Sequence, residues 1–304
     1  HLALIREIAE RYDMDGLELD WMRFNHHLRP GYEDEGAAVM TAFMRAAREV
    51  LDKQGEKRGR RIQLSARVPS RPDDALAIGL DAFTWAREGL IDKLVATPFW
   101  ETIDTDIPVE LWKRLLHGTS VTFAAGLELL VRPYPASPLR VFNSLESARG
   151  AAMSYLARGA DRVYLFNYFD SQTAMADNDR YPALLRELGS LETLRGKARR
   201  HIVTYPDTRA PGHPVRAVLP LRCAAGRFHG FRIHLGERPR PGQRTAVRLA
   251  AEDGNMEAVA ALEVRVNGEL CAYAGETIPA QPRPTAPLGE FAVPEAALKD
   301  GYHF

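Results

Sequence analysis

The stretch GLELDWMRF, residues 16–24, decides the fold of this chain. Apolar Leu17 and Leu19 alternate with acidic Glu18 and Asp20, which is the two-residue period of a β-strand. The alternation predicts both carboxylates on one face of the strand and both leucines on the other. In a barrel one face of each strand points to the interior, and we expect the two carboxylates there.

Strand-like and helix-like runs alternate through the first two-thirds of the chain. The predicted strands cover residues 16–24, 62–70, 92–100, 121–130 and 161–169. The predicted helices cover residues 2–11, 33–53, 81–89, 107–116, 144–159 and 181–196. This alternation is typical of parallel βαβ units. Polar residues gather where the strands end and no Gly-rich phosphate loop follows a strand, which favours a (β/α)8 TIM barrel over an open doubly wound sheet.

The composition changes near residue 205. The later part is rich in Pro, Gly and Arg, with short alternating runs such as RTAVRLAA and ALEVRVNGEL. We therefore expect two domains: residues 1–200 as the C-terminal part of a barrel, holding its strands four to eight, and residues 205–304 as an all-β sandwich. Because the sequence starts inside a predicted helix and stops in a predicted strand, we expect a fragment with a truncated sandwich.

The charge balance excludes several classes of protein. The 304 residues include 40 Lys+Arg and 40 Asp+Glu, with 45% hydrophobic residues, so a disordered or fibrous chain is excluded. Zero formal charge argues against a nucleic-acid partner. No run of eighteen apolar residues predicts a membrane span, and two cysteines at this spacing predict no metal site. We expect no cofactor, and the oligomeric state stays open.

Three carboxylates are the catalytic candidates. Asp20 stands near the end of its strand, where barrel enzymes carry their active sites, while the deeper Glu18 is expected in an interior ion pair. Glu128 ends a later strand after the small residues Ala125 and Gly126, which we expect to leave space near the barrel axis. Glu101 competes for the same role. The alternatives are a salt bridge for Glu128 and a solvated loop position for Glu101.

Aromatic, amide and charged side chains near the strand ends are typical of a sugar site, because sugar rings stack on exposed aromatic faces. The candidate substrate-binding residues are Arg23, His26, Arg67, Trp100, Asn167, Tyr168 and Asp170. The two arginines either bind an acidic group of the substrate or hold a catalytic carboxylate ionised. Tyr164 and Phe166 are expected to pack between strand and helices, and core packing stays the alternative for every ring.

The run DGLELDW resembles the DGxDxDxE strand of family-18 chitinase-like barrels, in which the last Glu is the general acid; Met22 occupies that position here. The longer run YDMDGLELDWMRFNHH resembles bacterial barrels termed family-10-like glycosylhydrolases, and FAVPEAALKDG resembles their accessory β domains. The resemblance implies a secreted or periplasmic bacterial glycoside hydrolase that cleaves O-glycosidic bonds of a polysaccharide or oligosaccharide.

Glycoside hydrolysis needs two carboxyl groups across the scissile bond. Asp20 is expected as nucleophile or base and Glu128 as acid or nucleophile, with the order open. Because Met22 replaces an acid, a catalytically inactive, lectin-like barrel is the alternative. A metal-dependent hydrolase using Asp20, His26 and Asp170 is a third hypothesis.

Overall fold

The computed structural model of the chain describes residues 1–24, 27–169, 178–278 and 287–304. Its strands are β1 (Gly16–Asp20), β2 (Gln63–Pro69), β3 (Lys93–Thr97), β4 (Thr122–Glu128), β5 (Leu130–Val131), β6 (Val141–Phe142), β7 (Arg162–Phe166), β8 (Ile233–His234), β9 (Ala246–Leu249), β10 (Arg265–Val266), β11 (Glu269–Leu270), β12 (Ala272–Thr277), β13 (Leu288–Ala292) and β14 (Tyr302–His303).

The α-helices alternate with these strands in the first part of the chain. They are α1 (Leu2–Arg11), α2 (Glu33–Arg58), α3 (Pro72–Ala77), α4 (Ala82–Arg87), α5 (Val109–Leu115), α6 (Leu145–Ala157), α7 (Tyr181–Glu187), α8 (Leu191–Leu194) and α9 (Met256–Ala260), with short 3-10 turns at Asn178–Arg180 and Glu295–Ala297. None of the described helices is long and apolar enough to cross a membrane.

Five parallel strands form the central sheet, in the order β1-β2-β3-β4-β7. Each strand lies beside the strand that precedes it among these five, without the reversal of order that a doubly wound sheet shows. The sheet curls into a half-barrel, since Tyr164 of β7 and Glu18 of β1 are hydrogen-bonded although they belong to its two edge strands. The prediction of a barrel-like α/β fold is confirmed to that extent.

Local signals in the sequence account for the ends of the main helices. Gly59 caps the C-terminus of α2, and its φ of 68° is the left-handed conformation that favours glycine. Ser144 caps the N-terminus of α6: its side chain accepts the N–H of Ser147, while the Ser147 side chain accepts the N–H of Ser144. This reciprocal capping satisfies two backbone donors that a helix start leaves open.

The outer face of the curled sheet is apolar and covered by helices. Leu64, Leu94 and Phe123 are completely buried there, and Trp112 of α5 stacks on Phe123 with ring centroids 6.0 Å apart. Each such side chain contributes about 1.5–3 kcal/mol when it leaves water. This packing holds the strands in place and leaves the inner face for polar side chains.

The chain divides into two compact units. The first comprises His1–Glu128, Gly159–Phe166 and Tyr205–Arg216, and the second comprises Leu129–Arg158, Asn167–Thr204 and Ala217–Phe304. The first unit contains the curled sheet with helices α1 to α5. The division at residues 200–205 into two domains stays a prediction.

The predicted β-sandwich is not confirmed. The described part of residues 205–304 forms small antiparallel sheets: β12-β13-β9, the hairpin β10-β11, and β14 with β8. Val259, Cys271 and Phe291 are the buried centre of a small core beside the three-stranded sheet. The alternating runs at residues 216–222 and 226–232 form no strand, because Pro220 and glycines interrupt them and most of their side chains are exposed.

Candidate active site

The register of β1 and β2 determines which side chains share the inner face. Glu18 pairs with Ser65, and Asp20 pairs with Arg67. Paired residues of neighbouring strands point to the same side of a sheet, so these four polar side chains lie together. The two carboxylates predicted to share one face of the first strand are therefore found on the inner face of the half-barrel.

Asp20 is bound from two directions at the carboxyl end of β1. Nη1 of Arg67 lies 2.9 Å from Oδ1 and 3.1 Å from Oδ2 of Asp20, and the N–H of Met22 donates to Oδ1 at 2.9 Å. The Arg67 side chain is 0% exposed, whereas the Asp20 side chain is 35% exposed. One side of this carboxylate is thus fixed by the protein while part of it faces solvent.

Arg67 joins several elements of the first unit. Its Nη2 donates to the carbonyl oxygens of Pro98 at 3.2 Å and Phe99 at 3.3 Å, and its guanidinium lies 3.5 Å from the centroid of the Phe166 ring. Burial lowers the pKa of Arg67, and the charge of Asp20 opposes that shift only in part. Of the two roles left open for Arg67, this geometry favours holding Asp20 over binding an acidic substrate.

Glu18 lies one layer deeper and is bound by two hydroxyl groups. Ser65 donates to its Oε2 at 2.8 Å, and Tyr164 donates to its Oε1 at 2.7 Å. Burial raises the pKa of Tyr164, and the bond to Glu18 raises it further. The expected ion pair of Glu18 is replaced by neutral hydroxyl donors.

The expectation that Tyr164 and Phe166 pack between strand and helices is wrong. Tyr164 pairs with Gly126 and Phe166 pairs with Glu128 along β4 and β7, which puts both rings on the polar inner face. Tyr164 therefore reaches Glu18, and Phe166 lies under a guanidinium. The alternation of residues along β7 already indicated that both rings share one face of the strand. Its aromatic composition nevertheless suggested a strand buried in the core.

Glu128 ends β4 on the inner face and is only 1% exposed. Its negative charge raises the pKa of Arg67, which places the two side chains within electrostatic reach. The space expected beside Gly126 is filled, because a Cβ on that residue would lie 2.0 Å from Cγ2 of Thr97. Thr97 thus occupies the gap that the small residues before Glu128 leave.

Glu101 and Trp100 follow β3 in a segment that binds residues far away in the chain. Tyr205 donates its hydroxyl to Oε2 of Glu101 at 3.0 Å, and Oδ2 of Asp207 accepts the N–H of Trp100 at 2.7 Å and the N–H of Glu101. Burial raises the pKa of Asp207, and the negative charge of Glu101 raises it further. Asp207 was missed from the sequence, where it lies in a Pro-rich run next to the change of composition near residue 205.

Exposed aromatic rings lie at the same end of the sheet. Phe24 and Trp100 are 61% and 44% exposed, and both contact Phe99, with ring centroids 6.2 and 6.3 Å apart. The exposed Arg23 lies over the Phe24 ring at 5.7 Å. These rings offer the kind of surface on which a sugar face stacks.

The remaining candidates belong to the second unit or fall outside the described residues. Asn167 and Tyr168 belong to the second unit, where Tyr168 is buried and its hydroxyl accepts from Nδ2 of Asn143 at 3.1 Å. Asn167 adopts a left-handed backbone with φ of 63°. His26 and Asp170, and with them most of the metal-dependent hypothesis, lie outside the described residues.

Among the residues that the structure describes, Asp73, Asp74 and His213 form the group whose potential metal-ligating atoms lie within 4.8 Å of one another. Nδ1 of His213 lies 2.8 Å from Oδ1 of Asp74, and the guanidinium of Arg216 is bonded to Asp73. The guanidinium of Arg216 therefore already pairs with Asp73, and it also lies 3.8 Å from Oδ1 of Asp74.

Comparison with known proteins leaves the family open. No family model matches the sequence, and no curated protein matches it. A glycoside hydrolase family 18 N-acetylglucosaminidase from Paenibacillus barengoltzii is similar over 61% of this chain and 74% of its own, at 15% identity and a TM-score of 0.41. DHODH from Eimeria tenella, solved in complex with ferulenol, is similar over 62% of this chain and 53% of its own, at 13% identity and a TM-score of 0.40. The chain thus spans about half of the second protein.

Proposed function

We propose that this protein is a glycoside hydrolase that cleaves O-glycosidic bonds of a polysaccharide or oligosaccharide with carboxylates at the carboxyl end of its curled sheet. The observation that carries the proposal is the pair formed by Asp20 and the fully buried Arg67. It holds a partly exposed carboxylate in one orientation at the end of a parallel barrel strand, where barrel enzymes place catalytic groups. Asp20 suits the role of nucleophile or general base.

The second carboxyl group is Glu128 or Glu101. Glu128 shares the inner face with Arg67 but is 1% exposed, so a sugar reaches it only if side chains above it move. Glu101 is half-buried and receives a hydrogen bond from Tyr205, so it is more open to a ligand. A general acid must reach the glycosidic oxygen, which makes Glu101 a strong competitor for this role.

The aromatic rings support a carbohydrate ligand. Phe24 and Trp100 present exposed faces in the first unit, on the segments that follow β1 and β3. A saccharide stacked on them would place its hydroxyl groups near polar side chains, as sugar sites require.

The test is a screen of the purified chain on neutral and acidic polysaccharides, followed by single substitutions. Asp20→Asn should reduce kcat on the substrate found by about three orders of magnitude or more, in a chain that still folds because the Asn oxygen can accept the hydrogen bond of Arg67. Asp15→Asn is the matched control, since Asp15 is completely exposed at the other end of β1. Undiminished activity of Asp20→Asn would contradict the assignment. Proton NMR of the first-formed product distinguishes a retaining from an inverting pair.

A lectin-like function is the second candidate. Met22, which is 0% exposed, occupies the position where the chitinase-like motif carries its general acid. No acid therefore stands at this position. A binding protein would retain a glycan in isothermal titration calorimetry, lose that affinity in Trp100→Ala, and release no product over long incubation. Measurable turnover would exclude it.

A further inference from the structure

The segment around Asp207 belongs to the candidate site although 106 residues separate it from Glu101. Its carboxylate accepts the N–H groups of Trp100 and Glu101 through a single oxygen, Oδ2. Its backbone carbonyl accepts the N–H of Phe99 at 2.8 Å. Three consecutive amides of the loop after β3 are therefore bound by one residue.

Arg67 binds two backbone carbonyl groups of the same loop. Its Nη2 donates to the carbonyls of Pro98 and Phe99, at 3.2 and 3.3 Å. The donors of the loop are thus bound by Asp207 and two of its acceptors by Arg67. A loop bound in this way presents the exposed Trp100 ring without leaving it free to move, which lowers the entropy cost of stacking a ligand on it.

The side chain of Glu101 is bound by the same segment as its amide. Tyr205, two residues before Asp207, donates its hydroxyl to Oε2 of Glu101 at 3.0 Å. Residues 205–207 therefore contact both the backbone and the carboxylate of Glu101.

We propose that Asp207 is a positioning residue of the candidate site, which fixes Trp100 and Glu101 through their backbone amides. This inference rests on the proposed function for its catalytic consequence. The positioning itself is independent of that function, because it concerns the loop alone.

The first experiment measures the loop without any substrate. Iodide quenching of tryptophan fluorescence should rise in Asp207→Ala, because Trp100 loses its anchor, and should stay near the wild-type value in Asp207→Asn, whose side-chain oxygen still accepts both N–H groups. The difference should vanish in a Trp100→Phe background, which leaves only the other three tryptophans. Asp161→Asn is the control: Asp161 also accepts a backbone N–H, from Phe123, at the amino end of the sheet. Equal quenching of wild type and Asp207→Ala would overturn the proposal.

The second experiment measures the chemical consequence on the 4-methylumbelliferyl glycoside of the sugar found in the screen. Asp207→Ala should raise KM and lower kcat/KM by about 10²-fold, because displacement of a positioned group by about 1 Å costs that much. Asp207→Asn, whose side-chain oxygen still accepts both N–H groups, should keep kcat/KM near the wild-type value.

The outcomes of the two experiments distinguish the proposed glycosidase function from the positioning role of Asp207. If no glycoside is hydrolysed, the proposed function fails while the quenching result still decides whether Asp207 positions the loop. If turnover occurs and Asp207→Asn loses as much kcat/KM as Asp207→Ala, positioning through the backbone amides is wrong.

Discussion

The hydroxyl of Tyr164 lies 2.7 Å from the carboxylate of Glu18, although β7 and β1 are the two edges of a five-stranded sheet. In a flat sheet, four inter-strand gaps would separate such edges by roughly 19 Å. Two side chains bridge the edges only because the sheet curls around its inner face. The hydrogen bond therefore closes the half-barrel across its open side.

Removal of the Tyr164 hydroxyl should destabilise the first unit measurably. Tyr164→Phe leaves one oxygen of Glu18 without its donor in a partly buried place, and we expect a loss of about 1–3 kcal/mol in the free energy of unfolding by urea denaturation. Tyr134→Phe is the control, since Tyr134 bonds the exposed Glu252 and should change stability by less than about 0.5 kcal/mol. Equal stabilities of the two variants would contradict the closing role of Tyr164.

Replacement of Arg67 by an apolar residue should be more costly. Arg67→Met leaves Asp20 without its buried cationic partner, and removing one partner of a buried pair costs about 3–5 kcal/mol. Because Asp20 is partly exposed, we expect the lower end of that range in chemical denaturation. Arg60→Gln is the comparison, since the ion pairs of Arg60 with Asp13 and Asp15 are exposed and should contribute less than about 1 kcal/mol.

Addition of one methyl group at Gly126 should disturb the inner face. In Gly126→Ala the new Cβ meets Cγ2 of Thr97 at 2.0 Å, and overpacking of this kind costs about 1–3 kcal/mol. Thr97→Ser removes that methyl group and should recover part of the loss in the double variant. A double variant no more stable than Gly126→Ala, by thermal denaturation, would show that another contact is responsible.

Acid should destabilise the second unit through His201. Burial, and to a smaller extent the charges of Arg199, His234 and His303, lower the pKa of His201 to about 3. The unfolded chain, with an ordinary histidine pKa near 6.5, binds more protons below that pH, so stability falls as the pH drops from about 6.5 towards 3.

His201→Asn should remove this component of the pH dependence. The slope of unfolding free energy against pH should decrease by up to about 1.4 kcal/mol per pH unit between pH 4 and 6. His117→Asn, at an exposed position, should leave the slope unchanged. Identical slopes in wild type and His201→Asn would show that other groups govern acid unfolding.

The curled sheet could be predicted because its strands carry strong local signals. The runs of buried apolar residues between glycines and charged turns predicted the five sheet strands to within a few residues, and the alternation in β1 predicted which face holds Glu18 and Asp20. The short helix α3 was missed, and the last predicted helix is divided into α7 and α8. Short elements depend on tertiary packing more than on local propensity.

The candidate site was harder to predict, because its contacts join distant segments. Nothing in the local sequence of Asp207 indicates that it binds the backbone of Trp100, and nothing near Arg67 indicates that Phe166 lies beneath its guanidinium. The alternating runs at residues 216–222 and 226–232 show the converse. They have a strand-like period, but a strand forms only where a partner strand and a core are available.

The burial of Arg67 also links ligand binding to folding. Arg67 contacts β1, the loop after β3 and β7 at once, so whatever engages Asp20 acts on the same network that holds these elements together. A molecule that binds only the folded first unit raises its melting temperature by mass action. Thermal-shift screening of glycans is therefore a direct way to search for its ligand, even before any turnover is detected.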